Sequence, residues 1–241
     1  MIKRLLRRFV AGWDFPALAP ENTFIAVGDI HGRCDLLQRF LELRPLYPVI
    51  CVGDYVDRGD QSADVLRLLH ARPDITCLSG NHEEMMLRFL DNPEETGQRW
   101  LRYGGLQTLA SFGIAGLTES SGADTLRSAR DQLENAMGPK LVAWMRALPS
   151  RWQSGNVAVV HAGADPARSI ADQNIKTLHW GHPDFPKIER NDGLWVIHGH
   201  TIVEAPSATA GRISIDTGAY ATGHLTAVLI EPGKATFETI L

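Results

Sequence analysis

The stretch Phe24-Ile25-Ala26-Val27-Gly28-Asp29-Ile30-His31-Gly32 sets a short apolar run directly against an aspartate and a histidine held between glycines. An apolar run of this length bounded by turn residues reads as a buried strand, and the glycine-flanked polar residues read as a tight loop leaving its end. The pattern recurs twice. Residues 49–52 lead into Gly53-Asp54-Tyr55-Val56-Asp57-Arg58-Gly59, and residues 75–78 lead into Gly80-Asn81-His82-Glu83. Helical spacing of apolar residues fills 35–44, 62–70 and 83–90, giving strand and helix in strict alternation. That order predicts parallel strands joined by crossover helices, the arrangement in which ligands collect at the carboxyl ends of the strands.

Outward from this core, residues 91–151 show no strand pattern and read as a helical cap insertion, with helices around 98–112 and over 123–148. Strand patterns resume at 157–160, 194–197, 213–215, 225–230 and 236–240, with Gly and Pro between them, in a half of more antiparallel character. No repeat or linker divides the chain, so residues 1–241 are expected to form one α/β domain.

The later strands also end in chemistry. Residues 157–160 run into His161-Ala162-Gly163, and 194–197 run into His198-Gly199-His200-Thr201. Five strand ends therefore deliver Asp, Asn and His toward one rim, and the flanking glycines let the backbone turn sharply and come close to a bound ion or phosphate. Oxygen and imidazole donors without thiolate suit Mn²⁺, Fe or Zn²⁺. Not every candidate is read as functional. His198 continues an apolar strand and is expected in the core, His70 ends a helix and is expected solvated or capping, and His224 sits in a glycine-flanked turn. Glu83 and Glu84 open a helix, where acids favour the dipole, and Tyr55 and Val56 read as packing.

Taken in order, GDIHG, GDYVDRG, GNHE, HAG and GHT resemble the PPP family of metal-dependent phosphoprotein phosphatases in its bacterial and phage branch. Residues 100–105 and 215–219 resemble that branch too. The resemblance implies the calcineurin-like metallophosphoesterase fold, a four-layer α/β/β/α sandwich with two metals between its loops. It implies a first metal on Asp29, His31 and Asp54 and a second on Asp54, Asn81, His161 and His200, with Asp54 bridging. Mn²⁺ is the ion it implies, with Fe or Zn²⁺ as alternatives. Two cations about 3.5–4 Å apart polarise a phosphoryl oxygen and lower the pKa of a trapped water, whose hydroxide attacks phosphorus in line. The resemblance makes His82 the general acid, Asp57 its orienting carboxylate, and Arg58, with Asn81, the holder of the phosphate oxygens.

One segment departs from the family pattern. Where bacterial members carry a second phosphate-binding arginine after a tryptophan, this chain reads Leu178-His179-Trp180-Gly181-His182-Pro183. Either His182 replaces that arginine or Arg190 reaches in from the following loop. The expected reaction is hydrolysis of phosphoserine and phosphothreonine in proteins or of small phosphoesters. The alternatives are a diadenosine tetraphosphate hydrolase with the same metal motifs and, from another class, a regulatory binding module on an inactive fold. A nuclease is disfavoured because Thr201 and Ile202 follow His200 where such enzymes show GHxH.

Composition sets the outer limits. The chain has 241 residues, 44% hydrophobic and 22% charged, with enough bulk to bury a core without staples, so any metal is functional. A net charge of −4 gives no cationic field for nucleic acid, although two divalent ions would make one rim locally positive. Three cysteines, two of them in apolar runs, point to a reduced cytoplasmic protein. No segment reaches membrane-spanning length and no signal-peptide core is present. Residues 1–10 carry apolar positions at helical spacing opposite Lys3, Arg4, Arg7 and Arg8. They read as a basic amphipathic helix that docks on its own domain or makes a weak contact with an anionic membrane or partner.

Overall fold

Along β1 (Phe24–Val27) the side chains alternate between two cores: Phe24 and Ala26 enter one apolar cluster, and Val27 with the partly buried Ile25 enters the other. A strand buried on both faces needs a layer on each side, which is why it reads as an unbroken apolar run. The computed structural model describes residues 15–43 and 46–241, so the amphipathic helix expected over residues 1–10 lies outside the described residues.

β1 pairs in parallel with β2 (Val49–Cys51), and β2 in parallel with β3 (Ile75–Cys77). The crossovers are α1 (Cys34–Glu42), which buries Leu36, Leu37 and Phe40, and α2 (Ser62–His70), which buries Val65, Leu66 and Leu69. Those spacings put one apolar stripe of each helix on the sheet. After β3 come α3 (Asn81–Asp91), α4 (Pro93–Trp100), a π-helical turn (Leu101–Gly105), α5 (Leu106–Ser111) and α6 (Ala123–Arg146). Together these helices cover the outer face of the first sheet.

The helix expected over 98–112 is therefore broken in the middle. Gly104 takes φ 110°, and a Cβ there would lie 2.5 Å from the Arg58 amide nitrogen, so the chain bends where only glycine fits. The helix expected over 123–148 is likewise interrupted at Gly138 (φ 72°, ψ 160°), ahead of Pro139, whose ring cannot continue an α-helical ladder.

A second sheet follows, built from β4 (Arg151–Ser154), β5 (Val157–Val160), β6 (Trp195–His198), β7 (Ser207–Thr209) and β8 (Arg212–Ser214) in the order β4-β5-β6-β8-β7. The antiparallel character expected of this half holds at the edge strands β4 and β7 and in the closing hairpin, but the centre of the second sheet departs from it, with β5, β6 and β8 running parallel. Apolar runs carry no strand direction, and the short α7 (Ile175–Trp180) in the β5–β6 crossover escapes a periodicity reading because it spans under two turns. The last strands, β9 (Leu225–Glu231) and β10 (Lys234–Ile240), form a hairpin that returns to the first sheet and pairs antiparallel with β1.

Between the sheets lie Phe24, Ile50, Val52, Leu78, Val159, Ile197, Ile213, Ile215, Val228 and Ile230, all essentially inaccessible. Each is worth about 1.5–3 kcal/mol of transfer free energy. A smaller cluster of Val160, Leu178, Phe185 and Val196 seals the outer face of the second sheet beneath α7. The result is four layers, α/β/β/α, with the carboxyl ends of β1, β2, β3, β5 and β6 converging on one rim.

Candidate metal centre

The rim is built from backbone that ordinary residues avoid. Six described residues other than glycine have positive φ, and five of them are His31 (43°), Asp54 (53°), Asp57 (71°), Arg58 (69°) and His200 (63°). A left-handed conformation costs an L-residue about 1–2 kcal/mol, so surrounding bonds must hold it. The amides of Ile30 and His31 donate to the Asp54 carbonyl at 3.1 and 2.8 Å, and the His200 amide donates to Asp29 Oδ2 at 3.0 Å. Beneath the rim, the fully buried Glu83 accepts from the amides of Asp54, Tyr55 and Gly80 at 2.9, 2.8 and 2.9 Å. Its role exceeds the helix-dipole reading, because one carboxylate ties the β2 loop to the start of α3. Tyr55 packs as expected, with its hydroxyl donating to the Leu78 carbonyl at 2.6 Å.

Asp54 stands at the centre. Its Oδ2 lies 3.5 Å from His31 Nε2, 3.9 Å from His82 Nε2 and 3.3 Å from His161 Nε2. Two donor groups share this carboxylate, Asp54 with His31 and His82 and Asp54 with His161 and His200, each set of atoms within 4.8 Å of one another. Asn81 Oδ1 lies 2.8 Å from both His161 Nε2 and His200 Nδ1. The His31 Nδ1–H donates to the Val56 carbonyl at 2.8 Å, which leaves Nε2 as a lone pair facing the cluster. Burial pushes the Asp54 carboxyl up, but His161, His82 and His31 outweigh it and hold it well below the usual carboxylate range. Burial drives His31 down to about 3 and His200 down to about 4, so both imidazoles are neutral and able to bind a cation at physiological pH. Asp29 is pushed upward by burial and by its neighbours Asp216 and Asp54.

Beside this cluster His82 Nδ1 donates to Asp57 Oδ2 at 2.6 Å, with both side chains buried. Burial lowers the His82 pKa, but Asp54 and the Asp57 bond outweigh it, and the net shift is upward. Arg58 carries its guanidinium 4.9 Å from the centre of the Tyr220 ring, which in turn sits 5.4 Å from the His31 ring.

Three comparisons with known proteins bear on these residues. A family model described as calcineurin-like phosphoesterase matches residues 23–204. The chain belongs to the calcineurin-like phosphoesterase family. It is 46% identical over 83 residues to serine/threonine-protein phosphatase 2 of Escherichia coli, covering 33% of this chain and 37% of that one. It is 29% identical over 147 residues to a symmetrical bis(5'-nucleosyl)-tetraphosphatase of Methylococcus capsulatus, covering 59% of this chain and 43% of that one. The chain thus spans about two-fifths of the length of these curated relatives. Among solved structures, a putative diadenosine tetraphosphatase superposes with a TM-score of 0.62 over 94% of this chain and 99% of that one, at 20% identity, and so shows the fold alone.

Calcineurin-like phosphoesterases use a dimetal centre, and the donors here fit one. Three buried side-chain N or O atoms among the described residues lack a hydrogen-bond partner, and two of them, Asp29 Oδ1 and His161 Nδ1, belong to this cluster. Glycines keep the space open: a Cβ on Gly199 would lie 1.8 Å from Asp29 Oδ1, and one on Gly80 would lie 2.2 Å from Asp54 Oδ1. All the donors are carboxylate, amide oxygen or imidazole.

His182 and Arg190 each engage partners other than the cluster residues. Arg190 is buried, its guanidinium paired with Asp192 and donating to the carbonyls of Asp165 and Arg168 at 3.1 and 2.9 Å. Every face of the fork is engaged, which corrects the expectation that it reaches a phosphate. His182 lies 3.9 Å from Asp165 and 4.0 Å from Asp184, and its Nδ1 accepts from the Asp184 amide. His198 is in the core as expected, bonded to the Gly199 carbonyl and Ser214, and His70 and His224 are exposed.

Sequence reasoning missed four residues that shape the site. Trp100 and Thr108 contact Asp57, Tyr220 lies under Arg58, and Trp180 has its ring centre 6.5 Å from that of His200. Trp180 is fixed by donating Nε1–H to Glu84 at 3.0 Å, while His179 bridges Glu84 and Ser79 behind it. A tryptophan followed by Gly181 was the available signal for Trp180, and the family-like stretch 100–105 was the one for Trp100; for Thr108 and Tyr220 no local motif exists.

Proposed function

We propose that this phosphoesterase hydrolyses phosphate monoesters, with phosphoserine and phosphothreonine in proteins as its substrates. The observation that carries the reading is the shared Asp54 carboxylate, with imidazole donors gathered on both sides and the His82–Asp57 pair beside it. Asp29, His31, Asp54, Asn81, His161 and His200 are the residues that would hold two divalent cations. When bound, those ions would supply positive charge to the phosphoryl oxygens and make a water strongly nucleophilic. Oxygen and imidazole donors without thiolate suit Mn²⁺, Fe or Zn²⁺, and of these Mn²⁺, the ion implied by the family resemblance, is the one proposed.

The chain's own residues do the rest. Arg58 presents a planar fork to two phosphate oxygens, with Tyr220 holding its guanidinium in place. The departing serine or threonine oxygen leaves as an alkoxide of high basicity and needs a proton. His82 is aimed to give it from Nε2, since Nδ1–H is committed to Asp57. Water and phosphomonoester become alcohol and inorganic phosphate, and His82 is then reprotonated from solvent.

A second reading has its own observation. Trp180 and Arg99 stack beside the cluster, with the guanidinium 5.3 Å from the indole centre, and they line a cavity of about 200 Å³ with Trp100 and Met85. A nucleobase finds a stacking surface there, as a dinucleoside tetraphosphate hydrolase requires. Comparing kcat/KM for a phosphoserine peptide, a phosphotyrosine peptide and diadenosine tetraphosphate in Mn²⁺ separates the two. Phosphoserine peptide turnover well above that of the dinucleotide supports the phosphatase; the reverse order overturns it in favour of the hydrolase.

A further inference from the structure

The carboxylate that orients His82 is itself held by residues from the helical segment that follows α3. Thr108 Oγ1 donates to Asp57 Oδ1 at 2.7 Å, and Trp100 Nε1–H is shared between Oδ1 and Oδ2 at 3.1 and 3.0 Å. The Asp57 amide donates back to Thr108 Oγ1 at 2.8 Å and to Ser62 Oγ at 3.1 Å. Trp100, Thr108, Asp57 and Ser62 are all completely buried. With these bonds made, the remaining partner of the carboxylate is His82 Nδ1 at 2.6 Å, so its plane and the imidazole's are set together.

Two donors eight positions apart would not reach one carboxylate from an ordinary helix, where they stand about 12 Å apart along the axis. They do so here because α4 and α5 are separated by the π-helical turn and the bend at Gly104. The same bend brings the Gly104 carbonyl to the Arg58 amide at 3.4 Å. Indole N–H is a donor that neither accepts nor ionises, so it can pair with a carboxylate but offers nothing to a competing proton. A segment that only covered the sheet would need apolar contacts, which Leu101 and Leu109 already make.

We propose that Trp100 and Thr108 are positioning residues for proton transfer: they hold Asp57 so that His82 keeps its Nδ1–H on Asp57 and points its Nε2 proton at the leaving oxygen. The proposal rests on the reading of His82 as the acid. The chemistry it affects is one proton passing from Nε2 to the alkoxide as the P–O bond breaks, leaving a neutral imidazole.

Leaving-group dependence separates this from a purely structural role. In the Mn²⁺-loaded full chain, Trp100→Phe and Thr108→Val are each expected to lower kcat on phenyl phosphate about 5–10-fold and on 2,4-dinitrophenyl phosphate less than about 2-fold, with KM nearly unchanged. Thr108→Ser, which restores the hydroxyl, returns kcat toward wild type. In the metal-free protein, the downfield proton resonance of the His82 Nδ1–H bond is expected to shift in both variants. Should Trp100→Phe fail to fold, Thr108→Val and its serine rescue carry the test alone. Equal losses on the two esters, or none, overturn the proposal. The parent reading is tested in parallel with His82→Asn: selective loss there without selective loss in the other variants overturns only the positioning role, whereas equal losses in His82→Asn remove the acid itself.

Discussion

The strand-end loops and the helical segment 93–111 both deliver groups to the same rim, and they do so by opposite means. The loops carry their donors next to the glycines that let the backbone turn, in left-handed conformations at His31, Asp54 and His200. The helical segment carries Trp100 and Thr108 on ordinary helical backbone and depends on one bend at Gly104 to aim both at Asp57. The loops set which atoms can hold cations; the helices set how one proton is held. Damage to the first is expected to remove metal, and damage to the second to leave metal in place and slow turnover.

Two glycine variants break or sharpen that contrast most strongly. Gly199→Ala places a Cβ 1.8 Å from Asp29 Oδ1, so it is expected to displace that carboxylate, lower metal content and reduce kcat/KM by about 10²-fold or more. Gly104→Ala places a Cβ 2.5 Å from the Arg58 amide at a φ of +110°. Metal content is then expected to stay at the wild-type level while kcat on phenyl phosphate falls about 10-fold. Metal analysis beside kinetics checks both, and a metal loss in Gly104→Ala would erase the distinction.

A smaller effect contrasts two arginines. Arg58→Lys removes the bidentate fork and is expected to raise KM about 10-fold. Arg190→Met breaks only contacts to Asp192, Asp165 and Arg168, so it is expected to lower the melting temperature with KM within about 2-fold of wild type. A KM rise in Arg190→Met would return that residue to the phosphate.

A last effect, on stability rather than turnover, appears in acid. Burial holds His198 down at about 4, below its unfolded value of about 6.5. A depressed histidine stabilises the fold fully above pH 6.5, and that contribution is lost as pH falls toward 4. In metal-free protein, His198→Gln is therefore expected to remove about 2–3 kcal/mol of the stability difference between pH 7 and 4.5. Denaturant titrations at the two pH values give the difference directly, and an unchanged slope would count against a neutral buried imidazole.

Legibility followed the same division. Apolar runs ending in glycine-flanked polar residues made β1, β2, β3, β5 and β6 readable, because strand, turn and donor are contiguous in the chain. The return of the β9–β10 hairpin, which pairs β9 with β1, was not readable, since pairing partners more than 190 residues apart leave no local trace. Glu83 was undervalued for a related reason: its three amide partners become neighbours only when the β2 loop meets α3. Arg190 looked available because a guanidinium in a loop next to a motif gap fits phosphate chemistry; folding instead surrounds it with Asp192 and two carbonyls. Trp100 lies in the family-like stretch 100–105, yet its contact with Asp57, like that of Thr108, was not readable, because the target is fixed by a bend at Gly104 and a glycine inside a helical pattern does not say which way the chain turns.

The most direct test of the strand-end site is the metal stoichiometry of the full chain after equilibration with Mn²⁺, measured for wild type and for Asp54→Asn. Two ions per wild-type chain, falling to one or fewer in the variant together with loss of turnover, are expected if Asp54 is shared between two cations. A wild-type chain that binds no more than one ion, or a variant that keeps two ions and full activity, would contradict it.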